Sequence, residues 1–312
     1  MTAPIIGILG SMLLAALGCG GAATYPPRTP YDVVIEGATI YDGSGGKPYV
    51  GSVGIVGDRI TAIGEMSGSP ARLRVDARGM AVAPGFINML SWANESLLED
   101  GRSQSDIRQG VTLEVMGEGS SMGPLTGKMR EQMIEEQSDI KFDVPWTTLG
   151  EYLDHLVKKG VSTNVASFVG ATTLRVHEIG YADRPPTAEE LQRMQALARQ
   201  AMEEGAMGIA SSLIYAPAFY ARTDELVALS KAVAPYGGMY ISHIRSEGAR
   251  LLEAIDELIT NFVRQAGVEP LGIDVRHQNA LLRFTPTKLS NDLPLARTLK
   301  REKEEPQGRR SR

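Results

Sequence analysis

The chain has 312 residues, 43% of them hydrophobic and 22% charged. That is an ordinary globular balance with room for about two domains. A net charge of −5 gives no electrostatic ground for nucleic-acid binding. The single cysteine, Cys19, excludes an intrachain disulfide and a cysteine-rich zinc site.

In chain order, the first feature is the apolar run from Ile5 to Gly18. It is short of the about 20 residues that span a bilayer, and it suits the h-region of a signal peptide. Ala16-Leu17-Gly18-Cys19 resembles a bacterial lipobox, in which cleavage before Cys19 frees its thiol for lipid attachment. Residues 1–19 are therefore expected to be a signal or lipoprotein segment. The expected location is the bacterial cell envelope, lipid-anchored or periplasmic, with membrane contact through the anchor alone. Residues 20–30 are small and Pro-rich, as a linker is.

Residues 31–80 predict a small β domain. Tyr31 to Tyr41 carries β-branched residues on a short period, Asp42 to Gly46 breaks it, and Val53 to Ile63 reads as a hairpin turning at Gly57-Asp58. From residue 81 strands alternate with amphipathic helices, the pattern of parallel β/α units. The predicted strands are Met80–Met89, Val111–Gly117, Thr163–Gly170, Met207–Leu213 and Gly238–His243. Thr148 with Glu151, and Thr187 with Glu190, form capping boxes at two helix starts. Further apolar stripes run through Leu226, Leu229 and Val233, and through Leu251, Ile255 and Leu258. Val268 to Val275 reads as a sixth strand, whereas a closed (β/α)8 barrel needs eight. Residues 283–312 show no sustained period and end in a charged run, expected to be a disordered basic tail.

Ala83-Pro84-Gly85-Phe86-Ile87-Asn88-Met89-Leu90-Ser91-Trp92 resembles the first barrel strand of the amidohydrolase superfamily, with Leu90 and Trp92 where two metal histidines are expected. The stretch from Gly205 to Ile259, including Ser242-His243-Ile244-Arg245-Ser246-Glu247-Gly248, is similar to the N-acyl-D-amino-acid deacylase branch, as are Gln109-Gly110-Val111-Thr112 and Asn164 to Arg175. The resemblance implies an α/β fold: an incomplete (β/α)8 TIM-like barrel over residues 81–282, preceded by a small β-sandwich segment. It implies a metal-dependent hydrolase of linear amide bonds, in which zinc activates water against an N-acyl amino acid. The loss of pattern near Val268 is read as a shifted frame or premature terminus. The expected consequences are impaired activity and self-association through open sheet edges.

The resemblance also assigns residues. His243 corresponds to a zinc histidine at a strand end, and Glu118 to a metal ligand after the second strand, or else to a surface glutamate with Gly119 as the true counterpart. Tyr215 corresponds to a tyrosine that contacts the substrate carboxylate, with rim packing as the alternative. Arg175 could grip the same carboxylate or sit in a salt bridge within the barrel. His155 and His177 read as packing or surface residues, and His277 stands a few positions late for a second zinc histidine. Leu90 and Trp92 cannot coordinate a metal, so the expectation is one zinc ion at most. Alternatives are an inactive remnant, a lipid-anchored small-molecule binding protein, or, within the family, a cyclic amidase of hydantoinase or dihydroorotase type.

Overall fold

A computed structural model describes residues 31–259, 270–274 and 279–284; for the last two stretches only the backbone is described. Cys19, His277 and the expected tail beyond Phe284 lie outside the described residues. Contacts divide the chain into two units that meet at Pro84/Gly85.

The first unit is one five-stranded sheet. β1 (Tyr31–Ile40) pairs antiparallel with β2 (Tyr49–Val56), and β2 with β3 (Arg59–Gly64) across the Gly57-Asp58 turn. β4 (Ala71–Asp76) and β5 (Ala81–Val82) run parallel to β1. Val34, Ala38, Ile40, Val53 and Met66 are buried. Ile60, Ile63, Leu73 and Val75 remain exposed. The expected sandwich is thus a single layer among the described residues.

The expected first barrel strand is divided between the units. Ala81–Val82 joins β1, and only Phe86–Asn88, β6, joins the second sheet. Pro84 cannot donate a ladder hydrogen bond. Gly85 then lies so close to Thr112 that a Cβ would meet Thr112 Oγ1 at 2.1 Å.

In the second unit β6 pairs parallel with β7 (Val111–Met116), and β7 with β8 (Asn164–Ser167). Phe168 separates β8 from β9 (Val169–Gly170), which continues the same stretch and pairs parallel with β10 (Gly208–Ser212). β10 pairs parallel with β11 (Met239–His243). Successive strands are thus spatial neighbours, as parallel β/α units place them. The intervening helices are α1 (Ser96–Glu99), α2 (Gln104–Ile107), α3 (Gly127–Glu135), α4 (Leu149–Lys159), α5 (Ala171–Ile179), α6 (Ala188–Glu203), α7 (Thr223–Val233) and α8 (Leu251–Asp256). Both capping boxes form, Thr148 with Glu151 on α4 and Thr187 with Glu190 on α6.

Alternation along each strand separates two apolar layers. Val115, Phe168, Ala210 and Ile241, one from each adjacent stretch, cluster on one face. Met116, Val169, Ile209 and Tyr240 turn to the other face and join the larger core made with the helices.

The sixth strand departs from expectation. β12 (Pro270–Asp274) and β13 (Asn279–Phe284) form an antiparallel hairpin, and β13 lies antiparallel on β11. The connection between them is too short for a parallel crossover, which takes about a dozen residues or more. The expected boundary at residue 282 falls inside β13.

Candidate active site

The C-terminal ends of β7, β10 and β11 bring together Glu118, Ser212 and His243. Ser212 and His243 are register partners at the ends of β10 and β11. Glu118 follows β7 in a Gly117-Glu118-Gly119 turn, whose glycines have φ of +91° and +73°, a region that strongly favours glycine. A Cβ on Gly117 would meet Phe168 O at 2.2 Å, and one on Gly119 would meet Ser212 Cβ at 2.6 Å. Close approach by the neighbouring strands therefore fixes where Glu118 sits.

Glu118 is 5% exposed and Ser212 8% exposed. Burial pushes the Glu118 carboxyl above its usual range, and Glu247 adds to that. His243 and the nearby Ser212 hydroxyl pull the other way. Even so, Glu118 Oε1, Ser212 Oγ and His243 Nε2 close no hydrogen bond. Buried polar atoms are rarely left bare, and a water, an ion or a ligand ordinarily completes them. Glu247 Oε1 lies 3.0 Å from His243 Nε2, at ion-pair distance but outside hydrogen-bonding geometry.

Tyr215 is 60% exposed, and its ring meets the His243 imidazole edge-on with centroids 5.4 Å apart. Arg175 is placed differently. It lies on α5 with no exposed surface, its Nη1 donating to Glu225 Oε2 at 2.6 Å and its Nη2 to the carbonyls of Ala182 and Arg184. A guanidinium enclosed in this way offers nothing to a substrate carboxylate, and the salt bridge is the use the fold makes of it. His177 lies in α5 beside Glu178, and the His155 ring packs 5.3 Å from Trp146. The end of β6 carries no metal donor: Leu90 is half-buried and Trp92 is 65% exposed.

Two residues of the cluster went unassigned in the sequence. Glu247 could have been noticed from its spacing of four from His243, and Ser212 from its place at a strand end. Glu118 and His243 are zinc-type donors with bare, buried atoms, so their chemistry fits a metal. Among the described residues no group of three such donors converges.

No protein-family model matches the chain. A D-aminoacylase of Alcaligenes xylosoxydans xylosoxydans is 35% identical over 232 residues, 73% of this chain and 47% of the relative. A crystal structure of D-aminoacylase, described as defining a novel subset of amidohydrolases, is 34% identical with a TM-score of 0.68 over 77% of this chain and 50% of its own. An N-acyl-D-glutamate deacylase from Bordetella bronchiseptica, complexed with zinc and a phosphonate inhibitor that mimics the tetrahedral intermediate, is 31% identical with a TM-score of 0.66 over the same shares. The chain spans about half the length of the relatives it matches. On its sequence, its mixed α/β backbone and the polar strand-end cluster that backbone builds, the chain belongs to the D-aminoacylase (N-acyl-D-amino-acid deacylase) group of the amidohydrolases.

Proposed function

We propose that the protein acts on N-acyl-D-amino acids as a metal-dependent hydrolase of the linear amide bond, built on part of a (β/α)8 barrel. One observation carries this: the bare, buried atoms of Glu118 and His243 meet at the strand ends of a chain similar in sequence to D-amino-acid deacylases. Glu118 and His243 would hold one zinc ion, which when bound supplies Lewis acidity toward an acyl carbonyl. The remaining work falls to the chain. Tyr215, exposed beside His243, presents its hydroxyl to the carboxylate of the amino acid. Phe168, Ala210 and Ile241 form a dry apolar layer on one face of the same strands. Leu90 and Trp92 leave the end of β6 without donors, so turnover is expected to be slow.

A second reading, binding without turnover, is favoured by the absence of a three-donor group among the described residues. In both readings the Cys19 lipid anchor remains our proposal for placing the protein at the cell envelope. The test is amine release from a panel of N-acetyl-D-amino acids, with the L-enantiomers as controls, by the full chain supplied with zinc. D-selective release abolished by His243→Ala supports the hydrolase. Substrate affinity without release supports the binder, and neither release nor affinity overturns both.

A further inference from the structure

Ser211 and Ser212 are neighbours on β10, and the fold treats their hydroxyls differently. Ser211 turns to the helix side, where its Oγ lies 2.5 Å from the Tyr240 hydroxyl and 3.0 Å from that of Ser242. Ser212 takes the other face, as alternation along a strand requires, directly across the ladder from His243. It is more than nine-tenths buried, yet its Oγ closes no hydrogen bond. Space for this side chain is built into the turn that carries Glu118: a Cβ on Gly119 would stand 2.6 Å from both the Cβ and the Oγ of Ser212. Burying a hydroxyl without a partner costs stability that an alanine would not cost. The fold thus fills one serine of the pair and leaves the other open at the strand end.

We propose that the Ser212 hydroxyl is a substrate contact, donating a hydrogen bond to the acyl carbonyl oxygen of the N-acyl-D-amino acid. This rests on the reading given under Proposed function and adds to it the residue that fixes the acyl group. Tyr215, exposed at the rim, is assigned the carboxylate of the amino acid. The acyl carbonyl is assigned to the space beside Glu118 and His243, and Ser212 adjoins both: it is the ladder partner of His243 and packs against the Glu118 turn. The carboxylates there, Glu118 and Glu247, are acceptors when ionised and offer a carbonyl oxygen nothing. A hydroxyl can rotate to donate, and it brings no charge of its own to a buried site.

The test compares Ser212→Ala with Ser230→Ala. The Ser230 hydroxyl is also buried and bare, but it lies within α7. The probe is N-acetyl-D-leucine, added to the full chain supplied with zinc, with affinity read by calorimetry, or as KM where amine is released. Ser212→Ala should weaken that affinity about two- to tenfold, the range one neutral hydrogen bond spans. It should not lower the unfolding midpoint, because it removes a hydroxyl the fold does not use. Ser230→Ala should likewise keep the midpoint, and should bind the probe as wild type does. Ser212→Cys, similar in size and a weak donor, should lose affinity too and decides the matter if the alanine variant does not fold. Affinity for Co2+, a stand-in for zinc read by visible absorption, should be the same in Ser212→Ala and wild type. Unchanged N-acetyl-D-leucine affinity in Ser212→Ala, or a loss matched by losses of Co2+ affinity or of stability, overturns the role of Ser212 and leaves the proposed function standing. Neither affinity nor release in wild type overturns both.

Discussion

Glu114 and Glu118 stand four residues apart in one stretch of chain, and both are almost wholly buried, at 0% and 5% exposure. Their lone pairs meet opposite fates. Glu114 accepts hydrogen bonds from the hydroxyls of Ser91 at 2.6 Å, Ser103 at 2.8 Å and Thr163 at 3.1 Å. Glu118 Oε1 accepts none. Position on β7 explains the difference. Glu114 shares its strand face with Met116, on the helix side of the sheet, where loops deliver hydroxyls. Glu118 lies past the strand end, where the nearest groups are another carboxylate, an imidazole and a bare hydroxyl. A buried acid whose bonds are filled by its own fold holds loops together. A buried acid left bare is placed for something that arrives.

Four substitutions probe this contrast. The largest effect is expected at the deeply buried Arg175–Glu225 pair that joins α5 to α7. Glu225→Ala strands a buried guanidinium and should lower stability by about 3–5 kcal/mol in denaturant unfolding. Next, Glu114→Ala leaves three hydroxyls without their acceptor and should cost about 1–3 kcal/mol, with Co2+ affinity unchanged. Glu118→Gln should do the reverse, removing a carboxyl that burial already disfavours in its charged form at little cost in stability, while weakening Co2+ binding. If the two variants melt alike and bind Co2+ alike, filled and bare acids are not functionally distinct and the contrast fails.

The smallest effect belongs to Glu190 at the start of α6. Arg184, and then the Thr187 backbone N–H, hold its carboxyl down at about 2. A depressed folded pKa means that the stabilisation is present above the ordinary value of 4.5 and is lost as pH falls toward 2. An acid titration followed by circular dichroism should therefore show wild type losing helix over that window relative to its own neutral state. Glu190→Gln should be less stable at neutral pH and lose correspondingly less. A wild-type curve parallel to that of the variant would mean that the cap contributes nothing measurable.

Much of the fold was legible because local chemistry wrote it. The capping boxes of Thr148 and Thr187, the Gly57-Asp58 hairpin and the strands ending at Met116, Ser212 and His243 depend on neighbours a few residues away. What escaped depends on distant partners. The division of Met80–Met89 between two sheets follows from Pro84 and from the contact of Gly85 with Thr112. β13 lies on β11 in the antiparallel sense, where a further parallel strand was expected. For Arg175 the sequence left open a substrate carboxylate or a salt bridge; the salt bridge forms, and its partner Glu225, fifty positions along the chain, was not legible.

The sequence by itself determined the family, the alternation of strand and helix, and the placing of His243 at a strand end, since periodicity and capping act over a few residues. Only the tertiary structure decided which buried charges are filled and which are left bare. That depends on which groups the packed strands and helices bring within about 3 Å of one another, a distance no spacing along the chain encodes.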